Sequence, residues 1–305
     1  MAIHRAKILV VGLNPAWQQI FVMRGLRPGE VNRAAGFTEL ASGKGLNVSK
    51  ILAARGHAVT LVQVLAGETG RRVLADCGRR GIRSAHVLVP GETRVCATLL
   101  HDDGATEIIA PFTLDRDPFG ELSALVPDEA FDAVVMCGTV PAGMNQEAGA
   151  SLVSRAGAPL VIWDSVAGVT EGLIGQITWL KVNAEEARAL EPVLGAGRTP
   201  SLLITDGARP ARVRAGEDDA TCALPPLDHV VNPIGAGDTV TAMLADGLLR
   251  GHAPRVAAAE ALAAAAASCL NVLPAEWNPE DAARLAAGAV WSERQGGRRG
   301  AEDAS

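Results

Sequence analysis

The sequence has no Cys-x-x-Cys pair, no long apolar run and no excess of basic charge, and each absence removes a class of protein. Its five cysteines, Cys77, Cys96, Cys137, Cys222 and Cys269, stand far apart. That spacing reads as reduced thiols in a cytosolic enzyme, and it argues against a disulfide frame or a zinc site. With 28 basic against 34 acidic residues, a net charge of −6, the chain lacks the electrostatic footprint of a nucleic-acid binder, and the balance favours a small-molecule partner. The apolar run from Ile8 to Leu13 is interrupted by Gly12 and ended by Asn14-Pro15. It is too short to cross a membrane, and no small-residue cleavage pattern of a signal peptide accompanies it. The expectation is a soluble, cytoplasmic protein that binds neither membrane nor nucleic acid.

What is present suits one large folded unit. The chain has 305 residues, 48% of them hydrophobic and 20% charged, and a chain of this length can bury about 75% of its unfolded surface. Strand-like runs recur, each followed by helical periodicity. Lys7 to Gly12 is nearly continuous in apolar character, as in a strand buried on both faces. Gly45 to Gly56 places Val48, Ile51, Leu52 and Arg55 at helical spacing and stops at a glycine. Val59 to Leu65 reads as the next strand and Arg71 to Arg80 as the next helix. The rhythm returns at Ala133–Cys137, Leu160–Trp163, Ile177–Leu180 and Leu202–Thr205, and the alanine-rich Ala261–Ala267 reads as a buried helix. Strands alternating with helices imply an α/β fold with a mostly parallel sheet covered on both sides.

Two stretches break that rhythm. Ile20 to Leu40 and Thr93 to Ile109 are strand-prone but half polar, which suggests a small one-sided sheet projecting from the core where a lid would sit. No internal repeat or interdomain linker divides the chain. A single domain over 1–292 is expected, with lid segments at about 14–40 and 93–110, and a frayed tail from Glu293 onward, through Gln-Gly-Gly-Arg-Arg-Gly.

The segment carrying most chemistry is Asn232-Pro-Ile-Gly-Ala-Gly-Asp-Thr239, followed by a helical run from Val240 to Arg250. Gly235, Ala236 and Gly237 free the backbone to turn sharply, and the helix behind them presents unsatisfied N–H groups suited to an anion. Asp238 falls in the first turn, where a carboxylate can face a substrate hydroxyl and accept its proton. The plainer reading is a glycine-rich strand-to-helix turn with a favourable N-terminal charge. A second glycine turn, Ala41-Ser-Gly-Lys-Gly-Leu-Asn-Val48, also leads straight into a helix, so that Lys44 and Asn47 can converge on a polar ligand. Neither segment is a Walker A loop: Gly45 follows Lys44 where a Ser or Thr belongs, and Thr38 stands where the first glycine belongs. A Gly-x-Gly-x-x-Gly after the first strand is missing too.

Taken together, the two segments resemble the two signatures of the PfkB (ribokinase-like) carbohydrate kinases, and the resemblance runs from about Lys7 to Leu273. The order of pieces is similar as well: Leu13-Asn-Pro-Ala16, Gly29-Glu-Val-Asn-Arg33, the Gly43-Lys-Gly45 turn, Thr93-Arg94, Cys137-Gly-Thr-Val-Pro-Ala-Gly143, Lys181-Val-Asn-Ala-Glu-Glu186 and Thr205-Asp-Gly207. The set looks most like the branch containing fructose-1-phosphate kinase and tagatose-6-phosphate kinase. The resemblance implies a three-layer α/β/α core with a β-sheet lid and an ATP- and Mg²⁺-dependent kinase. In it Asp238 would act as base, and the N–H groups around Gly235, Ala236 and Gly237 would hold the transferring phosphoryl. It assigns the sugar or sugar phosphate to Asn14, Gln18, Gly43, Lys44, Asn47, Arg94 and Gly138. It assigns the nucleotide to Lys181, Thr205, Gly207, Gly235 and Gly237, and Mg²⁺, through water, to Asn183 and Glu186. A homodimer joined through the lid is the implied assembly.

The departures bear on the substrate. Related kinases read Asn-Pro-Ala-x-Asp where this chain has Asn14-Pro-Ala-Trp-Gln18, so a charged acceptor becomes a neutral amide. A lid lysine common in relatives is missing from Val95–Thr98, and Pro210 stands where a second glycine is usual in the nucleotide loop. Lys44 and Arg94 suit a substrate that already carries phosphate. A sugar-phosphate sensor without catalysis, and a kinase of an unphosphorylated sugar or nucleoside, remain the competing readings.

Overall fold

The computed structural model describes residues 5–166, 168–194 and 199–294. From the N-terminus the elements are β1 (Lys7–Val11), β2 (Ala16–Val22), β3 (Gly36–Ser42), α1 (Lys44–Ala54), β4 (Ala58–Ala66), α2 (Gly67–Arg79) and β5 (Arg83–Val89). Then come β6 (Val95–His101), β7 (Gly104–Ile109), α3 (Phe119–Leu125), β8 (Ala133–Cys137), α4 (Ala148–Ala156), β9 (Leu160–Asp164) and α5 (Glu171–Ile174). The remainder is β10 (Trp179–Asn183), α6 (Ala184–Leu194), β11 (Ser201–Asp206), β12 (Arg209–Ala215), β13 (Asp218–Ala223), α7 (Ala236–Leu249), α8 (Pro254–Ser268), α9 (Pro279–Ala287) and β14 (Val290–Glu293).

Ten strands form the body sheet in the order β14-β13-β12-β11-β10-β9-β8-β1-β4-β5. It is parallel from β5 across to β11 and closes with the antiparallel strands β12, β13 and β14. The continuous apolar character of β1 has a direct cause. Ile8 and Val10 pack into a core shared with α1, α2, α7 and α8, while Leu9 and Val11 pack into a second core with α3, α4, α5 and α6. A strand covered on both faces has no side on which a polar residue would be cheap. The α/β fold with a large, mostly parallel sheet, helices on both faces and a smaller sheet is therefore as the sequence predicts.

From β1 the chain first builds outward through β4 and β5, then returns to the other side of β1 through β8, β9, β10 and β11. The order reverses between β1 and β8, and in open parallel sheets a crevice opens beyond the strand C-termini at such a reversal. Helix α1 is pressed against that end of β1 by two glycines. A Cβ on Gly45 would stand 2.4 Å from the Gly12 Cα, and one on Gly12 would stand 2.5 Å from the Gly45 Cα. No larger residue fits at either position, so this contact fixes where α1 begins.

A four-stranded sheet, β3-β2-β6-β7, projects beside the crevice and occupies the two stretches that break the α/β rhythm. Its inner face carries Ile20, Leu40 and Leu100, packed with Leu273 of the body. Its outer face pairs Phe21 with Phe37 at a ring separation of 5.0 Å and leaves Phe37 and Ile108 more than half exposed.

Some boundaries differ from the sequence pattern. The strand expected over Ile177–Leu180 begins at Trp179 and runs to Asn183, because Thr178 closes a turn onto Val161 through both its N–H and its hydroxyl. Helix α2 starts at Gly67, four residues before the expected Arg71. Glu293 of the expected tail pairs with Ala220, and the Arg294 N–H bonds the Asp219 carbonyl, so the sheet extends past residue 292. The rest of the expected tail, 295–305, lies outside the described residues. No described helix is long and apolar enough to cross a membrane.

Candidate active site

The crevice beyond β1, β8, β9 and β10 gathers residues from distant parts of the chain. Just past β1 and β8, the Asn14 Nδ2 donates to the Thr139 Oγ1 at 2.8 Å, tying the two sides of the reversal together. The Asn14 Oδ1 is buried with no hydrogen-bond partner, an acceptor that the fold leaves unused. Gly138, in the left-handed region at φ +86°, brings its backbone against the Lys44 side chain. Gly43 takes φ +102° and backs onto Asn14 and Pro15, which turns the chain into α1 at the crevice.

Two helices aim their N-termini here. Gly235 caps α7 at φ +83°, and a Cβ there would meet Pro274 and Ala275 at 3.0–3.1 Å, so the tight turn and its open N–H groups depend on that glycine. Asp238, in the first turn of α7, is 6% exposed, and its Oδ2 accepts from the Asn47 Nδ2 at 2.8 Å. Its Oδ1 has no protein donor among the described residues. Thus one carboxylate oxygen is held by α1 and the other remains for a ligand. Asp238, Asn47 and the Gly235–Gly237 turn, singled out separately in the sequence, meet at one point.

Beneath them lies Asp164, at the C-terminal end of β9 and fully buried. The Lys44 Nζ stands 3.1 Å from its Oδ1, the Lys181 Nζ stands 3.4 Å from both oxygens, and the Thr241 hydroxyl donates to Oδ2 at 2.6 Å. The Lys181 ammonium also lies against Gly237, where a Cβ would come within 2.9 Å of it. Burial alone would raise the Asp164 carboxyl, but the Lys181 and Lys44 charges and the Thr241 bond outweigh it and hold it below the usual carboxylate range. Burial works against the Lys44 ammonium too, and the charges of Asp164 and then Asp238 overcome it and hold the ammonium above its ordinary value. For Asp238 the balance runs the other way: burial, with the Asp164 charge adding to it, raises the carboxyl despite Lys44 and Asn47. A carboxyl raised toward neutrality beside a helix N-terminus is equipped to take a proton.

Asp164 and Thr241 were not among the sequence candidates. A carboxylate ending the apolar strand Leu160–Trp163, at the sheet edge where parallel folds place ligands, was the available signal. Its lysine partners are visible only in three dimensions.

Other predicted residues have local partners. The Arg94 guanidinium donates to the Asn14 carbonyl at 3.0 Å and the Pro15 carbonyl at 3.3 Å, so it braces the turn after β1 and keeps further N–H donors. Gln18, on the inner face of the lid, is 5% exposed and donates through Nε2 to the Thr98 hydroxyl at 2.8 Å. Asn183 and Glu186 form a capping box at the start of α6. The Asn183 Oδ1 accepts from the N–H groups of Glu185 and Glu186, and the Glu186 Oε2 accepts from the Asn183 N–H at 2.8 Å. The Asn183 oxygen is fully used by this cap, whereas Glu186 keeps Oε1, and its charge reaches Lys44. A Mg²⁺ that retains most of its waters fits such a donor set through Glu186. Among the described residues no group of three His, Cys, Asp or Glu side chains could hold a metal unaided. Thr205, near the end of β11, approaches the Val182 carbonyl at 3.5 Å, and Gly207 turns β11 into β12 at φ +59°.

The chain and its fold are similar to known proteins. Residues 5–281 match the pfkB family of carbohydrate kinases. The fold is similar to that of phosphofructokinase-2 from Escherichia coli, crystallised in complex with potassium, at 20% identity over 92% of this chain and 98% of that one, with a TM-score of 0.80. It is also similar to a protein from Thermotoga maritima described as "Possible 1-phosphofructokinase", at 17% identity over 95% and 100% of the two chains, TM-score 0.76. Ribokinase from Thermotoga maritima aligns at 18% identity over 92% and 99%, TM-score 0.69. Family and architecture together make the protein an ATP-dependent carbohydrate kinase: the chain belongs to the pfkB family.

Proposed function

We propose that the protein transfers the γ-phosphoryl group of ATP to a hydroxyl of a phosphorylated ketohexose, with Asp238 as the base. The observation that carries this reading is the position of Asp238. It is buried at the start of α7 beside the Gly235–Gly237 turn, one oxygen held by Asn47 and the other without a partner among the described residues. The free oxygen would accept the proton of the acceptor hydroxyl as the phosphoryl arrives. The N–H groups of Gly235 to Asp238 would stabilise charge on the transferring oxygens, which is most of what phosphoryl transfer demands. Lys181, held against Gly237 by Asp164, would place a positive charge near the nucleotide phosphates, with Thr205 and Gly207 shaping the loop beside them. Mg²⁺, when bound, would neutralise charge between those phosphates, and Glu186, fixed by Asn183, would hold its water shell.

A substrate that already carries phosphate is supported by the two cations on the acceptor side. Lys44 spends one of its three N–H donors on Asp164, and Arg94 keeps donors beyond the two that brace Asn14 and Pro15. We further propose that the protein acts in the cytoplasm as a homodimer joined through the outer face of the lid. Phe37, Ile108 and Val95 are exposed apolar residues there, and a partner lid would remove them from water. Light scattering at twice the 31.5 kDa chain mass is the expected result.

The test of function is ADP release from Mg-ATP across fructose 1-phosphate, fructose 6-phosphate, tagatose 6-phosphate and free hexoses, with Asp238→Asn beside the wild type. Turnover of a phosphosugar, lost in the variant, is expected. Binding of a sugar phosphate without turnover would instead identify a sensor. Turnover of free hexoses alone would assign Lys44 and Arg94 another purpose.

A further inference from the structure

The inner face of the lid carries one charged residue that no other described side chain pairs with. Residues on that face are apolar (Ile20, Leu40, Leu100) or neutral (Gln18, Thr98), with one exception. Glu107 on β7 stands directly opposite Thr98 on β6, and side chains so paired lie on the same face of the sheet. Gln18 donates to that same Thr98. Gln18, Thr98 and Glu107 therefore form one polar patch across three strands, in which Gln18 and Thr98 are buried and Glu107 is exposed.

Glu107 has neither a hydrogen bond nor an ion pair among the described residues. Its surroundings are electrostatically adverse. Desolvation and then the negative charge of Asp238 push its carboxyl up, and only Arg94 pulls it down. The face that bears Glu107 packs on Leu273, next in sequence to Pro274 and Ala275, which back Gly235, so this face of the lid looks toward the start of α7. An exposed carboxylate on this face, with both oxygens unclaimed among the described residues, is open to hydrogen bonds from a ligand.

We infer that Glu107 is a specificity-determining residue of the acceptor site, accepting hydrogen bonds from hydroxyl groups of the sugar as the lid covers it. The inference rests on the kinase reading above and adds to it the part of the substrate that meets the lid. A carboxylate accepts two O–H donors at once, so it suits a polyol segment and repels a phosphate. The phosphorylated end of the substrate then belongs with Lys44 and Arg94, and the neutral hydroxyl-bearing carbons lie under Glu107. Gln18 takes a positioning role: by holding the Thr98 hydroxyl it orients the neighbour of Glu107 rather than gripping the sugar with a charge.

The test is steady-state kinetics of Glu107→Gln and Glu107→Ala on the sugar-phosphate panel, together with equilibrium binding of each sugar phosphate in the absence of nucleotide. Loss of a charge-assisted pair of hydrogen bonds predicts an acceptor KM raised about 10–100-fold in Glu107→Ala and less in Glu107→Gln. The KM for ATP should stay unchanged. Discrimination between fructose 6-phosphate and tagatose 6-phosphate, which differ in the orientation of one hydroxyl, should narrow. The melting temperature should not fall, because Glu107 makes no contact that stabilises the fold. An acceptor KM and sugar-phosphate affinity unchanged in both variants, with the wild type active, would overturn the role of Glu107 and leave the kinase reading intact. If the wild type binds a sugar phosphate without turning it over, the dissociation constants of the variants decide the role of Glu107 alone. Wild-type protein that neither binds nor phosphorylates any of the panel would overturn both.

Discussion

Helix α1 carries two lysines six residues apart that meet opposite fates. Lys44, at its first turn, is half-buried beside Asp164 and is held in its charged form by that carboxylate and Asp238. Lys50, further along the helix, is 6% exposed, and its Nζ has no hydrogen-bond partner. Burial, followed by the nearby Arg80 charge, pushes its ammonium down to about 8. The residue type and the helix are the same, so the difference lies in the partners. Toward the crevice, α1 meets a carboxylate ending β9 and a helix N-terminus with its own aspartate. Away from it, Lys50 lines a cavity of about 820 Å³ together with Ile51, Met243 and Trp277. Partnered buried charge is concentrated where chemistry is expected, and the unpartnered charge stands outside it.

The largest expected effect is on the crevice side. Asp238→Asn should lower kcat about 10²–10⁴-fold, the contribution of a positioned base, while leaving the melting temperature within a few degrees. Because burial raises the Asp238 carboxyl, the acid limb of the wild-type kcat/KM profile should fall at a pH above that of an ordinary aspartate. Lys44→Met removes a cation that opposes this shift and should move the limb further up. A limb at the ordinary aspartate position in both proteins would contradict the assignment.

Next in size is a change that would make the crevice lysines resemble Lys50. Asp164→Asn leaves the buried Lys181 and the half-buried Lys44 without their shared counter-charge. Removing one member of a buried charged cluster typically costs about 3–5 kcal/mol. Urea unfolding should show a loss at the lower end of that range, because Lys44 retains access to water. A loss below about 1 kcal/mol, the size of an exposed pair, would mean that Asp164 does not hold these lysines in solution.

The same contrast shows what the sequence could reveal. Strands buried on both faces announce themselves as apolar runs, so β1, β4, β8 and β9 were readable within a residue or so. The glycine turns at Gly43–Gly45 and Gly235–Gly237 were readable because a close approach or a left-handed turn leaves few alternatives to glycine. The antiparallel strands β12, β13 and β14 were not. Arg212 and Arg214 alternate with Ala211 and Val213, and Asp219 and Thr221 with Ala220 and Cys222, but the buried side is mostly small residues and so a weak apolar signal, and β14 pairs with a strand about seventy residues earlier. Asp164 was hidden for a different reason: it is one acidic residue at a strand end, and its meaning comes from Lys44, Lys181 and Thr241, distant in sequence. In Asn183-Ala-Glu-Glu186 the spacing of a capping box and that of a metal site coincide, and the hydrogen bonds assign the first directly. The two lysines of α1 were indistinguishable by pattern, since helical spacing says nothing about which carboxylates lie opposite.

The smallest effect, and the sharpest check of the comparison, is at Lys50. Lys50→Met keeps an apolar stem in the lining that it shares with Ile51, Met243 and Trp277 and removes the buried ammonium. Burial brings the folded ammonium down to about 8, whereas the unfolded chain holds its proton to the ordinary lysine value of 10.5. At about 1.36 kcal/mol per pH unit, the charged lysine costs the fold on the order of 3 kcal/mol. Below about pH 8 the residue is protonated in both states and the whole cost is present. As pH rises toward 10.5, the unfolded chain binds more protons than the folded one, so the wild type gains stability from this group. Lys50→Met should therefore be more stable than the wild type by about 3 kcal/mol at pH 7, and the gap should close as pH rises from about 8 to above 10. The buried thiols, which burial raises, titrate alike in both proteins and cancel from the difference. A gap independent of pH would show that Lys50 finds a partner in solution, and the two sides of α1 would then differ less than their surroundings indicate.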